Sequence, residues 1–128
     1  MAHLRLRVVG TYQLGSHMVQ VVFREGVGGE YFVLPGDIPH PRIKVGADQR
    51  DWSDVVEVLL HEAMEQEMED LGYRWEPTNS VSRDRLGMMF VMRHPEFSEV
   101  CARVGLFLAV CLPDVAAAWR KWKKETKR

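Results

Sequence analysis

The chain has 128 residues, 46% of them hydrophobic, and its 17 Lys and Arg nearly balance 18 Asp and Glu for a formal charge of −1. This much chain builds one domain, residues 1–128, with a core that needs no covalent staples, and the balanced charge excludes attraction of nucleic acid through the overall field of the molecule. No uninterrupted run reaches the ~18 apolar residues of a membrane span, and the amino terminus carries no secretory apolar block, so the expected location is cytoplasmic with no membrane partner.

Leu4, Leu6 and Val8 alternate with Arg5 and Arg7, and residues 18–23 are rich in β-branched side chains. Gly15 and Ser16 between these runs read as the turn of a hairpin. The glycine-rich stretch 26–29 breaks the next connection and a third apolar run covers 31–34. Pro35-Gly36-Asp37 and Pro39-His40-Pro41 then stop the chain before a fourth run at 42–45. The pattern predicts an antiparallel N-terminal β-meander of three or four strands.

A helix is expected over 51–71, with Asp51 and Asp54 as an N-terminal capping pattern and Gly72 as its stop. Val56, Leu60, Ala63, Met64, Met68 and Leu71 fall on one broad face, which predicts the side turned to the sheet, with His61 and Glu65 along its edge. After a polar loop at 76–84, residues 86–92 read as a strand, and Pro95 opens a second helix with Phe97, Val100, Cys101, Val104, Phe107, Leu108 and Cys111 packing along its length. Pro113 is expected to break or kink that helix before a last amphipathic segment from Asp114. The fold class is therefore α+β, a β-meander packed with two or three helices. Cys101 and Cys111 would lie about 15 Å apart on a helix, too far for a disulfide, and read as buried thiols of a reducing compartment.

The first helix carries Leu59-Leu60-His61-Glu62-Ala63-Met64-Glu65, a zinc-helix pattern of the His-Glu-x-x-His kind with a carboxylate in place of the second imidazole. Positions four apart on a helix differ by about 40° in direction, so His61 and Glu65 can share one metal while Glu62 projects beside them toward a bound water. A carboxylate oxygen is an acceptable zinc ligand, but a harder one that shifts preference toward oxygen-loving metals. The dipeptide alone means little, because this composition yields about 0.4 His-Glu pairs by chance. Its weight comes from the mid-helix position, just after a strand whose edge can hold an extended peptide. The competing reading makes Glu57, His61, Glu62, Glu65 and Glu69 the solvated face of an amphipathic helix.

The stretch from Arg42-Ile43-Lys44-Val45 to the His-Glu-x-x-Glu helix resembles the core of the minimal zincins, small metallopeptidase-like domains often encoded by bacteria and their phages. The likeness covers about residues 30–72. It implies zinc or another divalent metal as cofactor, His61 as a ligand, Glu62 as the catalytic general base, and Glu65 where the second ligand belongs. The third ligand of that family lies on a later helix, and His94 is the best candidate by residue type, with Glu96 beside it. The implied substrate is a peptide or protein.

A rival reading rests on the carboxyl end. Trp119 and Trp122 lie three apart, surrounded by Arg120, Lys121, Lys123 and Lys124, a pattern compatible with nucleic-acid or partner binding. The same pattern suits a final helix that docks its tryptophans and solvates its lysines, whose charge complements the helix dipole. A third class is a non-enzymatic protein-interaction module whose acidic helix meets a basic partner. No phosphate-binding glycine loop, Cys-x-x-Cys pair or Gly-x-Ser-x-Gly elbow occurs, which leaves nucleotide hydrolysis, structural zinc and serine esterase chemistry without support.

Overall fold

The computed structural model describes residues 5–32, 41–75, 89–90 and 93–126. A four-stranded sheet is followed by two helices, the α+β class expected. Strands β1 (Leu6–Leu14) and β2 (His17–Arg24) form the antiparallel hairpin, with Leu14 opposite His17 and the turn at Gly15 and Ser16. Strands β3 (Gly29–Phe32) and β4 (Arg42–Gly46) do not continue a meander. β4 enters between its predecessors and runs parallel to β2, with Gln20 opposite Arg42 and Arg24 opposite Gly46, so the order is β1-β2-β4-β3. Burial explains the departure. β2 hides Val19, Val21, Val22 and Phe23 and needs a buried neighbour, which β4 supplies with Ile43 and Val45, while the glycine-led β3 suits an edge. The end of β4 is tied under the 25–28 loop, Gly46 N–H donating to Gly28 O at 2.7 Å and Ala47 N–H to Arg24 O at 2.8 Å. A short second pair, β5 (Arg74–Trp75) and β6 (Met89–Phe90), is antiparallel and covers part of the strand expected at 86–92.

Helix α1 (Trp52–Asp70) begins at Asp51, whose N–H donates to Asp54 Oδ2 at 3.2 Å in a capping box, and stops at Gly72 as expected. Its buried face differs from the predicted one by about one residue's turn. Val55, Leu59, Ala63 and Met68 enter the core together with Glu62, Gln66 and Glu67, while Leu60 is 38% exposed. Apolar residues occur nearly all round this helix, so periodicity left two faces open. The sheet covers the one on which Glu67 meets a cation. Glu67 is fully buried, and Arg103 Nη1 donates to its Oε1 at 2.9 Å. Gly15 makes room for it, since a Cβ there would fall 2.6 Å from Glu67 Oε2, at a φ of 60° that favours glycine anyway.

Helix α2 (His94–Thr126) is one continuous element, so of the break or kink expected at Pro113 the break does not occur. Val100, Val104, Phe107, Cys111, Val115 and Trp122 keep a single seam against the sheet and α1 on both sides of the proline. Pro113 sits on the opposite, exposed face, where the carbonyl deprived of its partner can be hydrated and the seam outweighs the lost bond. Cys111 is buried as expected, and burial pushes its thiol up to about 12, but Cys101 is exposed, because ten residues turn it away from that seam.

The last turns of α2 clamp the link between β4 and α1. Trp122 is fully buried against Phe23, ring centroids 6.4 Å apart, and its Nε1 donates to Asp48 Oδ1 at 3.1 Å. Trp119 Nε1 donates to Ala47 O at 2.9 Å and packs on Trp52 at 5.7 Å. Lys123 Nζ donates to Gln49 O at 2.6 Å. Arg5 lies 3.9 Å over the Trp122 ring and, with Arg7, pairs with Glu125.

Trp122→Ala should cost about 3–5 kcal/mol, a large part of a domain's total stability, with loss of the indole's hydrogen bond added to the cavity; urea unfolding measures it. Glu67 supplies a pH test. Burial lifts its carboxyl above the ordinary carboxylate range, more than Arg103 lowers it, while Glu67 in turn raises Arg103. The Glu67 effect decides the sign, because its carboxylate is the charge fully removed from water. The folded state then holds this proton more tightly than the unfolded chain. Its contribution is complete below the ordinary carboxylate pKa of about 4.3 and is lost as pH rises through the higher folded value. In Glu67→Gln, which keeps an acceptor for Arg103, unfolding free energy should therefore climb more steeply from acid to neutral pH than in the unsubstituted protein. Parallel curves for the two would contradict this.

Candidate metal centre on helix α1

The middle of α1 lies against the edge strand β3. A Cβ on Gly29 would stand 2.5 Å from Val58 Cγ1 and 3.3 Å from Glu62 Cγ, so only glycine lets the strand come this close. β3 is held from two sides. Glu30 takes two 2.9 Å bonds from Arg24 Nε and Nη2, which keep its carboxyl below the usual range, and Tyr31 bonds Glu69 one turn beyond Glu65.

Within this frame His61 Nε2 lies 3.0 Å from Glu65 Oε1, and Glu62 turns inward, only 7% exposed. Ligand atoms of His61, Glu62 and Glu65 all fall within 4.8 Å of one another, and they form the group of this kind among the described residues. His61 stands on a ridge between two shallow clefts. One, of about 250 Å³, is lined by Gly28, Gly29, Val58 and Glu62 toward β3; the other, of about 310 Å³, by Leu60, Met64, Glu65 and Met68. Glu57 and His61 border both.

The donor set fits a divalent cation. Ligands about 2.1 Å from a tetrahedral ion are roughly 3.4 Å apart, close to the His61–Glu65 separation, and one imidazole with two carboxylates is a set that zinc and harder metals accept. Without an ion, the same His61–Glu65 contact is an i,i+4 helix pair worth about 0.3–0.5 kcal/mol. Burial separates Glu62 from both descriptions, since a merely solvated face would leave it in water.

His94 is not brought to this group. It is exposed at the first residue of α2, and the ligand group of His61 does not include it. The reason lies in how the helices meet. Arg103 joins α2 to α1 at Glu67, which is turned about 120° from His61 around α1 and lies about 9 Å farther along it. The neighbouring acids are engaged as well, Glu96 with Arg93 Nε at 3.0 Å and Glu99 with Arg103 Nη2 at 2.9 Å. His17 pairs with Asp70 at 2.8 Å, and His3 and His40 lie outside the described residues.

The carboxyl-terminal aromatics are placed differently from a stacking platform. Trp122 is in the core and Trp119 is half-buried with its N–H engaged, while Lys123 stands 5.1 Å from the Trp119 ring. Arg120, Lys121 and Lys124 remain exposed. The sequence reading passed over Glu67 and Arg103, although a signal was present: Val55, Leu59, Ala63 and Glu67 are successive i+4 positions, which puts the carboxylate on the core line. No family model, no curated protein and no solved structure matches this chain.

Proposed function

We propose that the protein is a zincin-like metal-binding domain that holds a divalent cation on α1 through His61 and Glu65, with peptidase-like hydrolysis as the activity to test. The observation that carries this reading is the convergence of His61, Glu62 and Glu65 beside an edge strand. A bound divalent ion supplies Lewis acidity toward a substrate carbonyl. The chain's own parts have separate tasks. β3, the edge strand of the described sheet, is placed to receive an extended peptide by strand addition, and the cleft at Gly28 and Gly29 sets that peptide beside α1. Glu62, on the wall of the same cleft, takes up a proton from water; His61 and Glu65 orient the ion. Among the described residues the ligands come from α1 alone, so His61 and Glu65 would hold the ion there, with Glu62 beside them as the base.

Protein purified without a His tag and titrated with zinc and cobalt(II) should bind about one equivalent, read by calorimetry and by the cobalt absorption bands. His61→Ala should abolish binding. Glu62→Gln should keep the metal and lose any hydrolysis of unstructured peptides, whereas equal metal loss in both variants would make Glu62 a ligand and remove its role as base. Restoring an imidazole with Glu65→His should tighten zinc by about tenfold or more, since the softer pair suits zinc. Absence of stoichiometric metal from both the unsubstituted protein and Glu65→His, each folded by circular dichroism, would refute the site.

A further inference from the structure

α2 presents two opposite faces. The seam that includes Val104, Cys111 and Val115 faces the core, while about 160° away Leu106 is 67% exposed and Val110 57% exposed. Ala102, Pro113 and Ala117 extend this outer stripe along some 22 Å of helix, all exposed. The two charges on its border are turned aside, Arg103 to Glu67 and Glu99, and Asp114 to the Tyr12 hydroxyl, which donates to it at 2.8 Å. By length and composition this helix is apolar enough to cross a membrane, although its apolar window holds Arg103 and Asp114 and is only 28% buried. The two charges break the uninterrupted run that a simple count demands.

The ends of the stripe are charged, and oppositely. Glu99 closes the amino-terminal end, and Arg120, Lys121 and Lys124 the other, all exposed. We propose that this face is a self-association surface on which two copies of the chain pair their α2 helices antiparallel. A two-fold axis between Ala109 and Val110 sets Leu106 against Pro113, Ala102 against Ala117 and Glu99 against Arg120, with Pro95 opposite Lys124. Glu99 of each copy, exposed although it also holds Arg103, then faces Arg120 of the other, and the uncharged centres meet. A parallel pair would place Arg120 beside Arg120 and Glu99 beside Glu99, at a cost that the antiparallel register avoids. The small side chains flanking Leu106 and Val110 allow close approach of the helix axes. A membrane surface fits less well: the tryptophans that would anchor an interfacial helix are turned into the protein, and the cations sit at one end rather than along a flank. A single pair of helices with few large side chains makes a small interface, for which a weak dimer, on the order of 10–100 µM, is the expectation to test.

Sedimentation velocity of the full chain from about 5 to about 300 µM should show a monomer–dimer equilibrium in that range. Leu106→Glu, at an exposed position that leaves the fold intact, should raise the dissociation constant at least about tenfold. Arg120→Glu should weaken the dimer and Glu99→Arg with Arg120→Glu should restore it, a rescue that only the antiparallel register produces. In a Cys101→Ser background, Ala102→Cys chains mixed with Ala117→Cys chains should form a disulfide-linked pair that neither forms alone. A monomer at every concentration overturns the proposal. So does failure of the double charge reversal to rescue, and so does flotation of monomeric protein with phosphatidylcholine–phosphatidylglycerol vesicles that Leu106→Glu abolishes.

Discussion

The docking of Trp119 and Trp122 on the 47–49 segment is the interaction on which the rest depends. These residues leave β4 and enter α1 within a few positions, so whatever fixes them fixes the angle at which α1 crosses the sheet. Two indole N–H groups and one ammonium hold that segment, and a fully buried ring beneath it removes the freedom to tilt. The separation of α1 from the edge strand, and with it the cleft beside His61 and Glu62, is set from the far end of the chain. A feature that in the sequence suggests a surface for nucleic acid thus positions a site elsewhere.

The class of fold, the hairpin, the bounds of α1 and its capping pair are legible in the sequence because each rests on local chemistry: alternation, a turn glycine, an Asp three residues from another. The strand order is not, since the reason for β4's place lies in the burial of β2, a property of the assembled sheet. Pro113 misleads for a similar reason. A proline ends a helix whose stability is local, but here one face is held by packing before and after it. In α1 the abundance of apolar residues makes periodicity ambiguous, and only the position of Arg103, thirty-six residues away, shows why Glu67 is on the inner side.

The candidate centre follows the same division. The helix motif could be read directly, and the structure brings its three members together; the third ligand from α2 is a tertiary matter, and the crossing of the helices directs α2 toward Glu67 instead. Two acids of one helix that look alike in sequence therefore have different surroundings. Glu67 is buried with a guanidinium, while Glu65 stays at the surface with an imidazole.

The unequal cysteines of α2 have a practical consequence. The thiolate is the form that attacks an alkylating reagent, so exposed Cys101 is open to labelling in the native protein, whereas Cys111, fully buried and with its thiolate disfavoured, reacts only when the helix leaves the sheet. With Cys101 blocked first, the slow modification of Cys111 becomes a clock for opening of that seam, and its rate under native conditions reports whether α2 detaches locally or only when the whole domain unfolds.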